Sequence, residues 1–302
     1  MNGIINVYKE AGYTSFDVVA RLRGILKQKK IGHLGTLDPA ACGVLPVALG
    51  KAAKLTEFFH DDRKTYVADL LLGQTTDTLD CEGTVLCEKE VNRTQDEIRE
   101  CIESFKGDMM QVPPMYSALK KDGKRLYELA RKGIEVEREA RPVTFFDIKI
   151  LSIDIPYVRF EVTCSKGTYI RSLCSDIGEK LGCGGCMSKL LRTKTCGFDI
   201  ENALTLSQIE EKRDCGMIDE VVIPMEKLFP EMPDIKTAAG ADKAAHNGNA
   251  ICMNLLEGKK PAPGQLFKLY DSAGILIGIY KAPEKDGKNV CTPEKMLYET
   301  GN

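Results

Sequence analysis

Between residues 144 and 181 the side-chain pattern changes period, and that change limits the fold more than any other feature of the chain. Val158, Phe160, Val162 and Cys164 alternate with Arg159, Glu161 and Thr163, the two-residue repeat of a half-buried strand. Directly afterwards Ile170, Leu173, Cys174, Ile177 and Leu181 recur at helical spacing, and Gly182 closes the run. The same alphabet recurs elsewhere. Strands are predicted at residues 4–8, 65–72 and 144–153, and helices start at Thr14 and Thr94, each with an acid three residues on at capping-box spacing (Asp17, Glu97). Strands outnumber helices and do not alternate with them regularly. The expected class is therefore α+β with a mainly antiparallel sheet.

The other segments set the organisation. Residues 32–50 read as a loop rich in glycine and proline, followed by a short helix at 54–59. From about 112 to 142 the periodicity fails around Pro113-Pro114 in a basic stretch bearing Tyr116 and Tyr127, which reads as an insertion outside the core. Pro230 and Pro233 punctuate an expected linker. Beyond it a small β-rich unit carries a clear hairpin, strands 266–270 and 275–280 around Asp271-Ser272-Ala273-Gly274. A unit of about 65 residues builds only a marginal core, so it is expected to pack on the larger one. The predicted division is 1–230 and 235–302.

Composition narrows the function classes. No apolar run approaches the roughly 18 residues of a membrane span, and the first residues lack the basic and apolar regions of an export signal, so a cytoplasmic protein with no membrane association is expected. Twelve cysteines in 302 residues are then reduced thiols rather than a disulfide framework. The single C-x-x-C, Cys183 to Cys186, has no second pair, and His33, His60 and His246 are isolated from it, so no metal is expected and the motif reads as a glycine-rich turn after a helix. Net charge is −2, which excludes bulk electrostatic binding of nucleic acid. Yet residues 21–30 hold five cations and no anion, and residues 120–141 hold eight cations against five acids, whereas residues 208–235 are acidic. Such segregation fits either basic stripes facing a polyanion or ordinary solvated faces.

Candidate chemistry centres on the 32–51 segment. It is no phosphate loop, because six residues separate Gly43 from Gly50 and Ala52 follows Lys51. What stands out is one carboxylate, Asp38, among apolar and glycine neighbours. Asp38-Pro39 is read either as a turn former or as a nucleophile or base, which a cation must then keep ionised in a dry cleft. Arg171 is a candidate for that cation. It falls in the first turn of its helix, where the macrodipole disfavours positive charge by roughly 0.3–1 kcal/mol, so it either faces an anion or is a surface arginine tolerating the cost. Asp77, Asp80 and Glu82 lack the offsets of a calcium loop and read as a solvated acidic turn. Tyr66 reads as a core aromatic or part of a site.

Several separated blocks then resemble the TruB-type tRNA pseudouridine synthases. They are Gly35-Thr36-Leu37-Asp38-Pro39 running to Gly50-Lys51, Lys64-Thr65-Tyr66 followed by Leu72-Gly73 and Thr76-Asp77-Thr78, Val112-Pro113-Pro114 with Tyr116-Ser117-Ala118, and Gly167-Thr168-Tyr169-Ile170-Arg171 through Leu190 to Arg192-Thr193. They run in order across residues 3–200. The resemblance implies the pseudouridine synthase core, an RNA-gripping insertion and a PUA-like C-terminal unit. It implies conversion of uridine 55 in the TΨC loop of tRNA to pseudouridine by a monomer with no cofactor. Asp38 matches the catalytic aspartate, Tyr66 the aromatic that stacks on the flipped base, and Arg171 the partner of the aspartate. His33, Leu190, Lys9 and Tyr169 are the implied substrate-binding set. One departure is Lys9-Glu10, where the family carries Lys-Pro. A carboxylate can attack C1', attack C6 or take the 2' proton, and each needs it ionised. The alternative class is a module that binds and remodels tRNA without chemistry.

Overall fold

The computed structural model describes residues 1–59, 63–121, 123–285 and 289–299; His60 lies outside them. In chain order the first part comprises β1 (Gly3–Lys9), α1 (Ser15–Leu26), β2 (Ile31–His33), β3 (Cys42–Leu49), β4 (Arg63–Leu72), β5 (Gln74–Thr76), β6 (Val85–Glu88), α2 (Gln95–Glu103) and β7 (Gly107–Gln111). Then follow β8 (Lys120–Lys121), β9 (Lys124–Arg125), α3 (Leu126–Ala130), β10 (Arg141–Asp154), β11 (Tyr157–Ser165), α4 (Ile170–Lys180), β12 (Gly185–Thr195), β13 (Phe198–Asp199), α5 (Leu206–Asp214) and β14 (Ile223–Pro224). One sheet runs β14-β1-β3-β12-β4-β11-β10-β7, with β2 on β3 and β13 on β12. Among the described residues every pairing in it is antiparallel except β3 with β12, which meet in parallel at Cys42/Leu191 and Gly43/Arg192. The expected α+β class with a mainly antiparallel, mixed sheet is what the chain builds.

That parallel seam divides the sheet into halves with separate cores. On one side α1 and α5 bury Val18, Leu22 and Ile209 against Ile5, Val7 and Leu45. On the other, α2 and α4 bury Ile98, Ile102, Leu173 and Ile177 against Ala68, Leu70, Phe160 and Val162. Thr14 and Thr94 close the predicted capping boxes with Asp17 and Glu97. At the seam a side chain on Gly43 would place its Cβ 2.2 Å from the Arg192 carbonyl oxygen, and the φ of +107° is itself a glycine conformation.

Two expectations need correction. Residues 42–49, read as loop, form strand β3; it is buried along almost its whole length, so it shows no two-residue alternation, and Pro46 sits opposite Asn6 without ending it. The expected linker is not free chain. Met225, Leu228, Phe229 and Met232 are buried with Leu55 and Phe58 of the first unit and with Tyr270, Leu276 and Leu297 of the second. Gln111 pairs with Arg141 across the sheet edge, leaving residues 112–140 outside the ladder.

The last part contains β15 (Asp234–Thr237), α6 (Asp242–His246), β16 (Ile251–Cys252), β17 (Leu256–Glu257), β18 (Leu266–Tyr270), β19 (Leu276–Lys281) and β20 (Val290–Met296). They form a six-stranded sheet in the order β16-β20-β19-β18-β15-β17, and β18-β19 is the predicted hairpin. Phe267, Leu269, Ile277 and Tyr280 make its own core. No described helix is long and apolar enough to cross a membrane.

Candidate active site

Asp38 sits at the tip of the segment that leads into β3, beside the seam. The flanking Leu37 and Ala41 are buried, which anchors the tip on both sides. The carbonyls around it are engaged one after another. Arg192, fully buried, donates to Gly35 (3.3 Å), Thr36 (3.2 Å) and Val44 (2.8 Å). Ser15 donates to the Leu37 carbonyl and accepts from its N–H, and the Asp38 carbonyl receives the Ala41 N–H. Lys9, also fully buried, donates to Glu10 (3.3 Å), Pro39 (3.0 Å) and Ala41 (2.5 Å), and the Gly12 N–H reaches Pro39 as well. Each such bond contributes about 0.5–1.5 kcal/mol, and a buried carbonyl left without one costs more. The tip is therefore a preset shape, and the Asp38 carboxylate is the group it presents.

Arg171 meets that carboxylate from α4. Its Nε lies 2.9 Å from Asp38 Oδ2 and 3.8 Å from Asp80 Oδ2, while its other nitrogens donate to the Thr78 carbonyl (3.0 Å) and the Tyr116 carbonyl (2.8 Å). The guanidinium is 5% exposed and the Asp38 side chain 41%. The helix-dipole penalty on Arg171 is thus met by two carboxylates and two carbonyls. Contrary to the expectation of a dry cleft, Asp38 is half open to solvent.

Tyr66, on β4, is 6% exposed. Burial pushes its phenol up to about 12 against the opposing charge and hydrogen bond of Arg192, so it stays neutral and shows the site little more than an edge. Tyr169 caps α4; its N–H donates to Gln111 Oε1 and its carbonyl accepts from Gln111 Nε2, joining the helix start to the sheet edge where the insertion leaves. Burial raises its phenol too. The field of Asp38 reaches Lys9, Tyr66 and Tyr169. His33 lies on β2 opposite Val47, half-buried, with burial lowering its pKa so that the ring is neutral near pH 7. Leu190, on β12 opposite Ala68, packs on the core beneath the site.

Lys9 departs from its expected role. With no exposed surface it cannot receive a substrate, and burial lowers its ammonium to about 8. Its position makes it a post under the Asp38 turn. Two residues escaped the sequence reading as site residues. Arg192 was legible only as part of a block, and its burial between two strands has no local signature. Asp80, read as part of a solvated turn, is 16% exposed. Its carboxylate accepts from Thr78 Oγ1 (2.6 Å) and the Glu82 N–H (3.1 Å), and its carbonyl accepts from Thr76 Oγ1 (2.7 Å). The Thr76 and Thr78 hydroxyls at alternate positions, both donating to Asp80, are the signal of a structured turn. The C-x-x-C begins in a tight turn after α4, as read, but its second half, Gly185 and Cys186, already belongs to β12. Gly178 and Gly184-Gly185 approach so closely that a Cβ on Gly178 would lie 2.1 Å from the Gly185 nitrogen.

The backbone as a whole resembles solved structures of one class. It superposes with a TM-score of 0.71 and 28% identity on a chain of an H/ACA RNP bound to a substrate RNA containing 2'-deoxyuridine, covering 98% of this chain and 85% of that one. A chain of a Cbf5-Nop10-Gar1 complex gives 0.71 and 29%, covering 97% and 84%. In sequence, residues 23–170 match the N-terminal domain of the TruB family pseudouridylate synthases, and residues 171–230 match the tRNA pseudouridylate synthase B C-terminal domain. The chain belongs to the TruB family of pseudouridylate synthases. Among its relatives, tRNA pseudouridine synthase B of Clostridium perfringens is 45% identical over 99% of this chain and 100% of its own, and that of Clostridium tetani 51% identical over 82% and 85%. The two matched domains abut between Ile170 and Arg171, inside the first turn of α4, so the Asp38–Arg171 pair spans that boundary.

Proposed function

We propose that this chain converts uridine 55 in the TΨC loop of tRNA to pseudouridine, with Asp38 as the reacting carboxylate, Arg171 as its counter-ion and Tyr66 under the flipped base. The observation that carries the reading is one carboxylate presented by a turn whose Gly35, Thr36, Leu37, Asp38, Pro39 and Ala41 carbonyls are bonded, and held 2.9 Å from a buried arginine. The name shared by the relatives, tRNA pseudouridine synthase B, supports tRNA as the substrate class. The reaction balances within one nucleotide. The C1'–N1 bond breaks, the uracil turns, a C1'–C5 bond forms, the C5 proton leaves and N1 takes one up. One carboxylate suffices for this, and water must be kept from the intermediate.

In the free protein Asp38 is half exposed, so the base itself closes the site. Flipping a base costs a few kcal/mol, and stacking on an aromatic returns about 1–3 kcal/mol per base. His33 helps splay the RNA loop and Leu190 lines the apolar pocket, while Tyr169 fixes the start of α4. The insertion, residues 112–140, grips phosphate. The unit of residues 235–302 packs on the catalytic unit and extends the RNA surface. Every residue named comes from one chain, so a monomer suffices.

The test is tritium release from full-length tRNA labelled at uridine C5. Wild type releases tritium and tRNA carrying cytidine at position 55 does not, while Asp38→Asn falls by roughly 10³-fold or more with tRNA affinity nearly unchanged. Undiminished release by Asp38→Asn overturns the assignment of Asp38. Tight binding with no release by wild type favours a remodelling module, and free uracil marks a hydrolase.

A further inference from the structure

Three thiols lie on segments that each also carry a site residue. Cys81 follows Asp80. Cys174 follows Arg171 by three positions on α4. Cys186 opens β12, the strand of Leu190 and Arg192. Cys81 Sγ and Cys186 Sγ are 3.6 Å apart. Their backbones are joined as well, since the Cys81 N–H donates to the Met187 carbonyl and the Met187 N–H to the Leu79 carbonyl, each at 3.0 Å. The two thiols differ in access. Cys81 is exposed, and Cys186 has no exposed surface.

We propose that Cys81 and Cys186 form an oxidisable dithiol that a hydroperoxide closes to a disulfide, slowing catalysis by displacing Asp80 from Arg171. The Cys81 thiolate attacks the peroxide O–O bond, giving a sulfenic acid and releasing hydroxide or alkoxide, which takes up a proton. The Cys186 thiol then displaces water from that sulfur, so two thiols lose two electrons and one peroxide gains them. Cys81 is open to solvent while Cys186 is fully buried, and burial also pushes the Cys186 thiol up, which leaves the first step to Cys81 and the resolving role to Cys186.

The consequence follows from distances. Closing 3.6 Å to the roughly 2.05 Å of a disulfide needs about 1.5 Å of travel. Cys186 is fully buried and paired with Leu71 of β4, whereas the turn carrying Cys81 is tied to the strand by two backbone bonds at Met187, so the turn does the moving. That turn already carries Leu79 at φ +64°, and it holds the Asp80 carboxylate 3.8 Å from Arg171 Nε and the Thr78 carbonyl 3.0 Å from an Arg171 nitrogen. Displacements of about 1 Å around a reacting group cost up to roughly 10²-fold in rate.

The experiment treats the reduced full-length chain with hydrogen peroxide, maps cysteine peptides by mass and follows tritium release before and after. Activity before peroxide tests the isomerase reading by itself, and the peptide map does not depend on that reading. Wild type is expected to gain a Cys81–Cys186 cross-link and to lose about tenfold in kcat in step with it, with dithiothreitol restoring both. Cys81→Ser is expected to keep wild-type activity when reduced and to retain it after peroxide. Exposed Cys87 and Cys215 report on peroxide exposure. The proposal is overturned if those two oxidise while Cys81 and Cys186 stay free, if Cys174 is the partner found, if the cross-link leaves the rate unchanged, or if Cys81→Ser is inhibited equally.

Discussion

The turn that presents Asp38 and the insertion of residues 112–140 use the same side chains for opposite purposes. The turn is held by three cations from distant parts of the chain, Lys9, Arg171 and Arg192, each at most 5% exposed and each bonded to backbone carbonyls. The insertion carries more positive charge and buries almost none of it. Its Lys124, Arg125 and Arg131 are exposed, with Arg125 and Arg131 lying over the Tyr127 ring at 5.8 and 5.4 Å. A cation that bonds carbonyls out of water shapes the protein, whereas one left in water is available to phosphate. Site charge and the charge proposed to bind RNA are therefore separable by burial, though not by sequence.

The comparison can be broken experimentally, starting where the effect is largest. Replacing Arg171 with Lys keeps the charge but cannot serve Asp38 and two carbonyls together, and it is expected to lower kcat by roughly 10²-fold with little change in tRNA affinity. Steady-state kinetics and filter binding check this, and a variant weakened only in affinity would place Arg171 among the RNA-binding groups. Lys9→Met leaves buried carbonyls unpaired and is expected to cost about 2–4 kcal/mol of stability by urea titration.

The pH dependence of that loss sharpens the point. The folded Lys9 pKa of about 8 lies below its ordinary 10.5, so between those values the unfolded chain binds more protons and stability rises with pH. The wild-type advantage over Lys9→Met is expected to widen by about 1–3 kcal/mol from pH 7.5 to 10. A constant difference would contradict a buried, titrating lysine.

The smallest effects belong to the insertion. Changing Lys124, Arg125 and Arg131 together to Gln is expected to alter stability by no more than about 0.5 kcal/mol and to leave kcat unchanged. Binding weakens, and the slope of log K against log salt, near −3.5 to −4.5 when about five phosphates are neutralised, flattens by roughly 0.7–0.9 for each phosphate that no longer meets a cation. An unchanged slope would move the RNA-binding surface elsewhere.

Much of this was legible in the chain. The capping boxes at Thr14 and Thr94, the alternation in β11 and the helical stripe of α4 are local patterns, and they appear where periodicity put them. Strand β3 was not legible, because a strand covered on both faces loses its alternation. The roles of Lys9, Arg192 and Asp80 were hidden for a related reason. Each depends on bonds made across long stretches of chain, such as those of Arg192 to Gly35 and Thr36, and no local spacing records such bonds. Asp38 and Arg171 could be named from their blocks, but that they meet at 2.9 Å belongs to the fold.

The account rests on Asp38 and Arg171 acting as one unit, and a double-mutant cycle in single-turnover kinetics tests that most directly. With Asp38→Asn, Arg171→Met and the double variant on the same labelled tRNA, the double variant is predicted to be no slower than Asp38→Asn alone, because the guanidinium acts on the chemical step through that carboxylate and its bonds to Thr78 and Tyr116 only position it. Losses that multiply, each replacement slowing the reaction by its full factor in the presence of the other, would show two independent contributions and contradict the pair.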